Sequence, residues 1–399
     1  MTPEDVAALR SPAAAGLLRE ATEAYAADVP DSLVLAERLR GSGHDAHLVG
    51  LALTQGRLRR RAADRLGPRG ARLLWTPESA EQATRAEVAV HRVARLAGRS
   101  PVVDLGCGAG ADALAMADAA LDVVAFEQDP TTAAVAEANV ELEGYESRVD
   151  VHRADVTTLD LDGLQCAAAY VDPARRSGGT RRFDPQSWSP PWSWVEDLAE
   201  HVPATVAKVA PGIPHDLLPS DAEGEWVSWK GDLKEATVWH GPLATARRRA
   251  TLLPSGATLT DAELAGSVDI GAVGRWLVEP DDAVIRAGLV GAVAASVDGR
   301  LLDEHIAYVV ADGEPMTPFG TTYEVHDEIP FALKRMRSVL RARGFGDVIV
   351  KKRGVAVVPE ELRRRLALGG DGPMATVLLT RTAAGPLALL VSRSDRRPA

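Results

Sequence analysis

The spacing of apolar residues changes along the chain and divides it into regions. Through residues 1–75, apolar positions recur at helical spacing, most clearly in 11–27 and 32–40, which predicts a helical N-terminal region. Residues 78–98 predict one further helix. Beyond residue 100, short β-branched runs alternate with helical segments, and this order predicts a mostly parallel sheet with right-handed crossovers.

Five apolar runs predict the strands of this sheet, and each ends in a glycine, a proline or an acidic residue. They are PVVDLG at 101–106, DVVAFE at 122–127, VDVHRAD at 149–155, AAAYVDP at 167–173 and ATVAKVAPG at 204–212. Gly231 and Asp232 separate two further runs, which predicts an antiparallel hairpin at the edge of the sheet. We therefore expect an α/β domain over residues 76–243.

Residues 320–399 repeat this alternation on a smaller scale. The predicted order is a strand at 321–330, a helix at 331–344, a strand at 347–354, a helix at 359–368 and a hairpin at 374–393. This order predicts a small, separate α/β domain. Residues 244–319 predict a connecting α/β region, with one helix over 281–296 and a strand over 304–313.

Composition limits the class of protein. With 399 residues, 46% of them hydrophobic and 25% charged, the chain can build more than one core, which excludes a disordered or fibrous protein. No apolar run approaches the roughly 20 residues of a membrane span, and the N-terminus lacks the pattern of a secretion signal. Cys107 and Cys166 cannot form a disulfide framework or complete a metal site. We therefore expect a cytoplasmic protein without a membrane or metal partner.

The clearest chemical signal is VVDLGCGAGADAL at 102–114. Here a strand that ends near Asp104 leads to Gly106, Gly108 and Gly110 and then to a helix. Glycines allow a sharp turn close to a ligand, and the start of the helix supplies free N–H groups. The G-x-G-x-G spacing with an acid before it suits S-adenosylmethionine, because a carboxylate can accept from its ammonium group, which nicotinamide dinucleotides lack.

Acidic residues also end the next three strands. Glu127 is placed to accept from the ribose hydroxyls, Asp155 to accept from the adenine amine, and Asp172 lies beside the sulfonium, because ligands bind at the carboxyl ends of such strands. The alternative is that these are ordinary strand-end acids of a domain that binds another ligand. The predicted residues for S-adenosylmethionine are Asp104, Gly106, Cys107, Gly108, Gly110, Glu127, Gln128, Asp155, Val156 and Asp172.

Several motifs resemble those of a known enzyme class. DLGCGAGADAL, FEQDP and YVDPARR resemble class I S-adenosylmethionine-dependent methyltransferases. More narrowly, EQATR at 81–85, DPARR at 172–176 and IVKKRG at 349–354 are similar to a bacterial methyltransferase family with a C-terminal THUMP-like domain. The resemblance implies a Rossmann-like class I sheet. It also implies an RNA partner, because THUMP domains are RNA-binding modules.

The end of the fourth strand suggests where the methyl group is transferred. Amino-methyltransferases carry D/N-P-P-Y/F/W at this point, and DPAR at 172–175 matches only its first two positions. We predict Asp172, Pro173 and Arg175 as catalytic, with Arg175 stacked on a base or paired with a phosphate. SPPW at 189–192 imitates the motif within a Pro-rich loop, and we expect it to take no direct part in catalysis.

Positive charge is concentrated near the C-terminus, although the chain carries a net charge of −11. Residues 331–366 contain eleven basic and three acidic residues, which indicates a surface for RNA phosphates, with solvated helix faces as the alternative. The predicted RNA-contacting residues are Lys334, Arg337, Lys351, Lys352 and Arg353. A second basic segment, 56–72, is either a solvated helix face or a phosphate-contacting one.

Three functions are consistent with these observations. The leading hypothesis is a methyltransferase that acts on a base of rRNA or tRNA. The second is a small-molecule or protein methyltransferase. The third is a cofactor-binding, RNA-associated protein without transferase activity, which the departure of DPAR from the amino-methyltransferase motif leaves open.

Overall fold

The computed structural model describes most of the chain and divides it into two compact units. The described residues are 1–27, 32–41, 43–175, 185–264, 266, 268–394 and 396. The first unit contains Met1–Ala222 and Thr237–Thr245, and the second contains Glu223–Ala236 and Ala246–Ala399.

The first unit begins with helices, as predicted. They are α1 (Pro3–Leu9), α2 (Pro12–Ala26), α3 (Ser32–Gly41), α4 (Ala46–Leu66), α5 (Pro77–Gln82) and α6 (Ala86–Ala94). The prediction of one helix over 78–98 is wrong, because Ala83 and Arg85 have extended backbone and separate α5 from α6. Thr84, between them, hydrogen-bonds to Asp112 and Lys208 instead of continuing a helix.

A parallel sheet forms the centre of this unit. The elements that follow α6 are β1 (Val102–Leu105), α7 (Ala111–Asp118), β2 (Val123–Glu127), α8 (Pro130–Glu143), β3 (Val149–Arg153), β4 (Ala168–Val171), β5 (Ala174–Arg175), β6 (Trp188–Ser189), α9 (Trp192–His201) and β7 (Thr205–Val209). Strands β5 and β6 form a separate two-stranded sheet. Strand β1 pairs in parallel with β2 and β4, β2 with β3, and β4 with β7. The order β7-β4-β1-β2-β3 brings the predicted strand-end acids to one edge of the sheet.

The predicted hairpin is present, but it is not at an edge. Strands β8 (Glu223–Trp229) and β9 (Asp232–Trp239) are neighbours, and β10 (Arg248–Leu253) and β11 (Ala257–Thr260) lie on the other side of β8. Strand β10 pairs in parallel with β8 and antiparallel with β11. Its hydrophobic signal is weak because Arg249 and Thr251 pair with the buried Glu223 and Glu225 of β8.

A different, seven-stranded sheet lies in the second unit, within the part of that unit that follows residue 275. Its elements are β12 (Trp276–Pro280), α10 (Asp282–Arg286), α11 (Val290–Ser296), β13 (Arg300–Asp303), β14 (Ile306–Ala311), β15 (Gly320–Pro330), α12 (Leu333–Ala342), β16 (Asp347–Lys352), α13 (Pro359–Leu366), β17 (Met374–Thr382) and β18 (Gly385–Arg393). The strand order is β13-β14-β12-β15-β18-β17-β16. The single helix predicted over 281–296 is interrupted at Gly288, whose φ of +69° ends α10.

The predicted domain limits at residues 75, 243 and 319 stay predictions. The pairing of strands β12 and β15 concerns the limit at residue 319. The element order predicted for 320–393 is confirmed. However, β15 pairs antiparallel with β12, from Gly320 opposite Pro280 to Glu324 opposite Trp276. Residues 320–393 therefore share one sheet with the preceding segment.

The two faces of this sheet carry different side chains. Helices α12 and α13 cover one face, where Met336 and Leu366 pack with Val348 and Val377. Tyr308, Tyr323 and Leu378 form a cluster on the other face. Among the described residues, no helix has both the length and the apolar character needed to cross a bilayer.

Candidate functional site

The carboxyl ends of β1, β2, β4 and β7 surround a cavity of about 370 Å³ in the first unit. Nine of the ten predicted cofactor residues line it. They are Asp104, Gly106, Cys107, Gly108, Glu127, Gln128, Asp155, Val156 and Asp172. The tenth, Gly110, is the N-cap residue of α7, next to the cavity in sequence.

The glycine-rich loop adopts the backbone that its sequence predicts. Gly108 has a φ of +57°, and a Cβ placed there would meet no atom within 4 Å, so the loop leaves open space above it. Gly110 has a φ of +80° and begins α7. Left-handed backbone at these positions favours glycine. The first residues of α7, Ala111 and Asp112, line the cavity, and the start of a helix supplies free N–H groups.

Asp104 is the clearest indication of a cationic ligand. Its side chain is fully buried, and neither carboxylate oxygen has a hydrogen-bond partner among the described residues. Burial raises the pKa of Asp104 well above its usual range, and the nearby Asp112 and Asp172 raise this pKa further. A buried carboxylate without a partner is costly unless a ligand supplies one, and the ammonium group of S-adenosylmethionine fits this requirement.

Two further acids, which the sequence predicts to bind the nucleoside part of the cofactor, also line the cavity. Glu127 accepts from the Gly108 N–H at 3.1 Å and from the Asp129 N–H at 2.9 Å, which ties the glycine loop to the end of β2. Asp155 accepts from the hydroxyl and the N–H of Thr157 through Oδ1, at 2.7 and 3.0 Å, and these bonds lower its pKa. Both carboxylates are therefore held in place at the rim of the cavity.

Asp172 has a partner that the sequence analysis missed. Lys208 of β7 donates to Asp172 Oδ2 at 2.6 Å and to Thr84 Oγ1 at 3.0 Å. All three side chains line the cavity. In the sequence, Lys208 is a lysine within the otherwise apolar run ATVAKVAPG, and Thr84 is the threonine of EQATR, but neither feature by itself indicates a site.

A buried ion pair lies behind this cluster. Arg92 of α6 donates to Asp112 Oδ1, and Asp112 Oδ2 accepts from the Tyr170 hydroxyl at 3.1 Å and from the Thr84 hydroxyl at 3.2 Å. Burial by itself would raise the pKa of Asp112, but Arg92, Lys208 and Tyr170 outweigh it and lower this pKa. Asp112 is thus held ionised beside the cavity. No spacing in the sequence connects these residues, because they meet only in the folded unit.

The SPPW segment lies closer to the site than expected. Strand β6 pairs with β5, with Ser189 opposite Ala174, and Ser189 and Pro190 line the cavity. The pairing folds this segment back beside the strand end, although 17 residues separate Ser189 from Asp172 in the sequence. The side chain of Arg175 and all of Arg176 lie outside the described residues. The catalytic roles of Pro173 and Arg175 therefore stay predictions.

Thiol and metal chemistry receive no support from the described residues. Burial raises the pKa of the Cys107 thiol well above its usual range, which disfavours the thiolate that a nucleophile requires. Burial also raises the pKa of Cys166. Within the described ranges, His, Cys, Asp and Glu side chains form no group of three that could hold a metal ion.

The C-terminal basic residues divide into two kinds. Lys334 and Lys352 are exposed, whereas Arg337 donates to the carbonyl oxygens of Arg365 and Leu366 at the end of α13. Lys351 pairs with Glu279 and the Tyr323 hydroxyl. It lines a groove of about 850 Å³ in the second unit together with Arg353, Arg393 and Arg396. Lys351 and Lys352 alternate along β16 and therefore point to opposite faces.

The arginines of 56–72 serve mainly within the first unit. Arg59 is buried and donates to the carbonyl oxygens of Arg72 and Leu73. Arg69 bridges Asp118 and Glu143. Because these side chains are occupied by internal contacts, the segment is not a continuous phosphate-contacting face.

Comparisons with known proteins agree with this geometry. Residues 102–172 match the model of a methyltransferase domain, residues 320–393 match that of a THUMP domain-like family, and residues 2–62 match that of a domain of unknown function. In the crystal structure of a candidate methyltransferase from Porphyromonas gingivalis W83, the similar part covers 88% of this chain and 92% of that one, with a TM-score of 0.75 and 23% identity. That similarity supports the fold.

Two relatives with higher sequence identity show the enzyme family of this chain. Both are named as uncharacterized S-adenosylmethionine-dependent methyltransferases of Mycobacterium tuberculosis, from strains CDC 1551 / Oshkosh and H37Rv. Each is 38% identical to this chain over 343 residues, which is 83% of this chain and 92% of the relative. Together with the unpartnered Asp104 in the cavity, this similarity makes S-adenosylmethionine the cofactor, and the chain belongs to the S-adenosylmethionine-dependent methyltransferases.

Proposed function

We propose that this methyltransferase acts on a base of RNA, such as rRNA or tRNA. The observation that carries the proposal is the concentration of basic residues in 331–366, within the THUMP domain-like region of a chain whose net charge is −11. Lysine and arginine on an appended module can fix phosphates and orient a structured RNA, while a separate cavity receives the base.

The exposed cations are the strongest part of this argument. Lys334, Arg335, Lys352, Arg364 and Arg365 are exposed, and none of them forms an ion pair with another described residue. Arg343 and Arg363 differ, because each is paired with an aspartate, Asp327 and Asp347 respectively. Cations without a protein partner keep their full charge for an anionic ligand.

The groove in the second unit offers a second set of donors. Arg353 lies 4.0 Å from both Glu279 and Asp282, which is too far for hydrogen bonds. Arg393 and Lys230 also line this groove. A strand of RNA backbone that enters the groove would meet these donors in addition to the exposed cations.

The methyl-transfer site contains a carboxylate that can position the methyl acceptor. S-adenosylmethionine, when bound, supplies an electrophilic methyl group on a sulfonium. The chain contributes Asp172, fixed at the end of β4 by Lys208, and this carboxylate can accept a hydrogen bond from an acceptor N–H or O–H. Ser189 and Pro190 line the same cavity.

Neutralising the exposed cations tests the proposal. We expect Lys334→Gln/Arg335→Gln/Lys352→Gln to weaken RNA binding at least about tenfold, to make its salt dependence shallower and to leave the S-adenosylmethionine Kd unchanged. Arg19→Gln/Arg40→Gln/Arg57→Gln, three exposed arginines of the first unit, is the matched control. Equal RNA binding by the two triple variants would contradict the RNA proposal without affecting the assignment as a methyltransferase.

A further inference from the structure

The cofactor cavity is strongly acidic. Glu78, Asp104, Asp112, Glu127, Asp155 and Asp172 all line it. Among the described lining residues, Lys208 is the only lysine, arginine or histidine. S-adenosylmethionine carries a carboxylate as well as its ammonium and sulfonium groups, and an acidic cavity opposes the entry of that carboxylate unless a cation receives it.

Bonding within the cofactor limits where its carboxylate can lie. The ammonium and carboxylate are attached to the same carbon, so an ammonium at Asp104 places the carboxylate within a few ångströms of that residue. Asp104, Asp112, Asp172, Thr84 and Lys208 all line the same cavity. Asp172 contacts Lys208, and Asp112 contacts Thr84, which in turn contacts Lys208. The Lys208–Thr84 pair therefore lies beside the predicted ammonium site.

We propose that Lys208, together with the Thr84 hydroxyl, binds the carboxylate of S-adenosylmethionine. Asp172 at 2.6 Å and Thr84 at 3.0 Å hold the Lys208 ammonium in a defined position before the cofactor arrives. A charge-assisted contact contributes more to affinity when its donor is already held in position, because less side-chain freedom is lost on binding. The proposal rests on the cofactor and is independent of the RNA proposal.

Thr84 lies in the interruption between α5 and α6. Ala83 and Arg85 have non-helical backbone. Thr84, between them, contacts Lys208 and Asp112.

Decarboxylated S-adenosylmethionine tests the proposal directly, because it lacks only the group in question. We would measure the Kd of both compounds by calorimetry for the wild type, Lys208→Met, Lys208→Arg and the exposed control Lys234→Met. We expect the wild type and Lys234→Met to bind S-adenosylmethionine about 10- to 100-fold more tightly than the decarboxylated compound. In Lys208→Met this preference should fall to about threefold or less, and Lys208→Arg should keep most of it.

Two results would overturn the proposal. One is equal affinity of the wild-type protein for the two compounds, a result that is measured without any variant. The other is a Lys208→Met protein that loses affinity equally for both compounds, which would assign Lys208 to holding Asp172 alone. If Lys208→Met does not fold, as judged by its melting curve, Thr84→Val replaces it. This variant should lower the preference about threefold, and an unchanged preference would contradict the proposal.

Discussion

At the scale of single residues, Asp104 shows a conflict between stability and function. The residue is fully buried without a partner among the described residues, so its charge destabilises the cofactor-free protein. The strand-end acids Asp104, Glu127, Asp155 and Asp172 were predictable from the sequence, because each lies at or just after the end of a predicted strand. Lys208 and Thr84 were not assigned, because a lysine in a strand and a threonine in a helical pattern acquire meaning only when the fold brings them together.

Replacing Asp104 should separate stability from cofactor binding. We expect Asp104→Asn to increase the free energy of unfolding of the cofactor-free protein by about 1–3 kcal/mol, because it removes a buried, unpartnered charge. The same variant should weaken S-adenosylmethionine binding at least about 100-fold, since the charge-assisted contact is lost. Chemical denaturation and calorimetry measure the two effects, and loss of stability in the variant would contradict the assignment.

The pH dependence of stability should follow from the raised pKa of Asp104. Between the pKa of the unfolded chain, about 4, and the higher pKa of the folded state, the folded protein binds more protons. The wild type therefore loses stability relative to Asp104→Asn as pH rises through this window, and the difference vanishes at low pH. Melting curves of both cofactor-free proteins between pH 4 and 8 would show this divergence, and parallel curves would argue against it.

At the scale of elements, α8 connects the glycine loop to the N-terminal region. Asn139 of α8 is fully buried, accepts from the Leu74 N–H at 2.7 Å and donates to the carbonyl oxygens of Leu74 and Ala109 at 2.9 Å. Helix α8 itself was predictable from its pattern. This link was not predictable, because 65 residues separate Asn139 from Leu74 in the sequence.

Removing this link should weaken both folding and binding. We expect Asn139→Ala to lower the free energy of unfolding by about 3–5 kcal/mol, since three buried backbone groups lose their partners. The S-adenosylmethionine Kd should rise as well, because Ala109 belongs to the glycine loop. Glu137→Ala, at an exposed position of the same helix, serves as the comparison, and equal stability of the two variants would be the contrary result.

At the scale of the whole molecule, the pairing of β15 with β12 changes how the C-terminal region can be tested. The sequence predicted the order of strands and helices in 320–393 correctly, because each element has clear periodicity and a glycine or proline at its end. It did not show that these strands join β12, β13 and β14 in one sheet. Long-range pairing of short strands leaves little trace in local patterns.

Deleting residues 320–399 should therefore do more than remove an RNA-binding surface. We expect the truncated protein to aggregate or to lose the cooperative melting of its second unit, because β12 would lose its β15 partner and the sheet would lose four of its seven strands. Size-exclusion chromatography and circular dichroism measure this. A monomeric, fully folded truncated protein would contradict the single-sheet description.

Transfer of a labelled methyl group to RNA tests the central proposal most directly. Purified protein would be incubated with radiolabelled S-adenosylmethionine and total RNA from a strain lacking the gene, beside Asp172→Ala and the control Asp232→Ala on an exposed strand end. We predict label in a discrete RNA fraction with the wild type and the control, and at least about a 100-fold loss with Asp172→Ala. Absence of label in RNA, with S-adenosylmethionine binding intact, would contradict the account and direct the search to a protein or small-molecule acceptor.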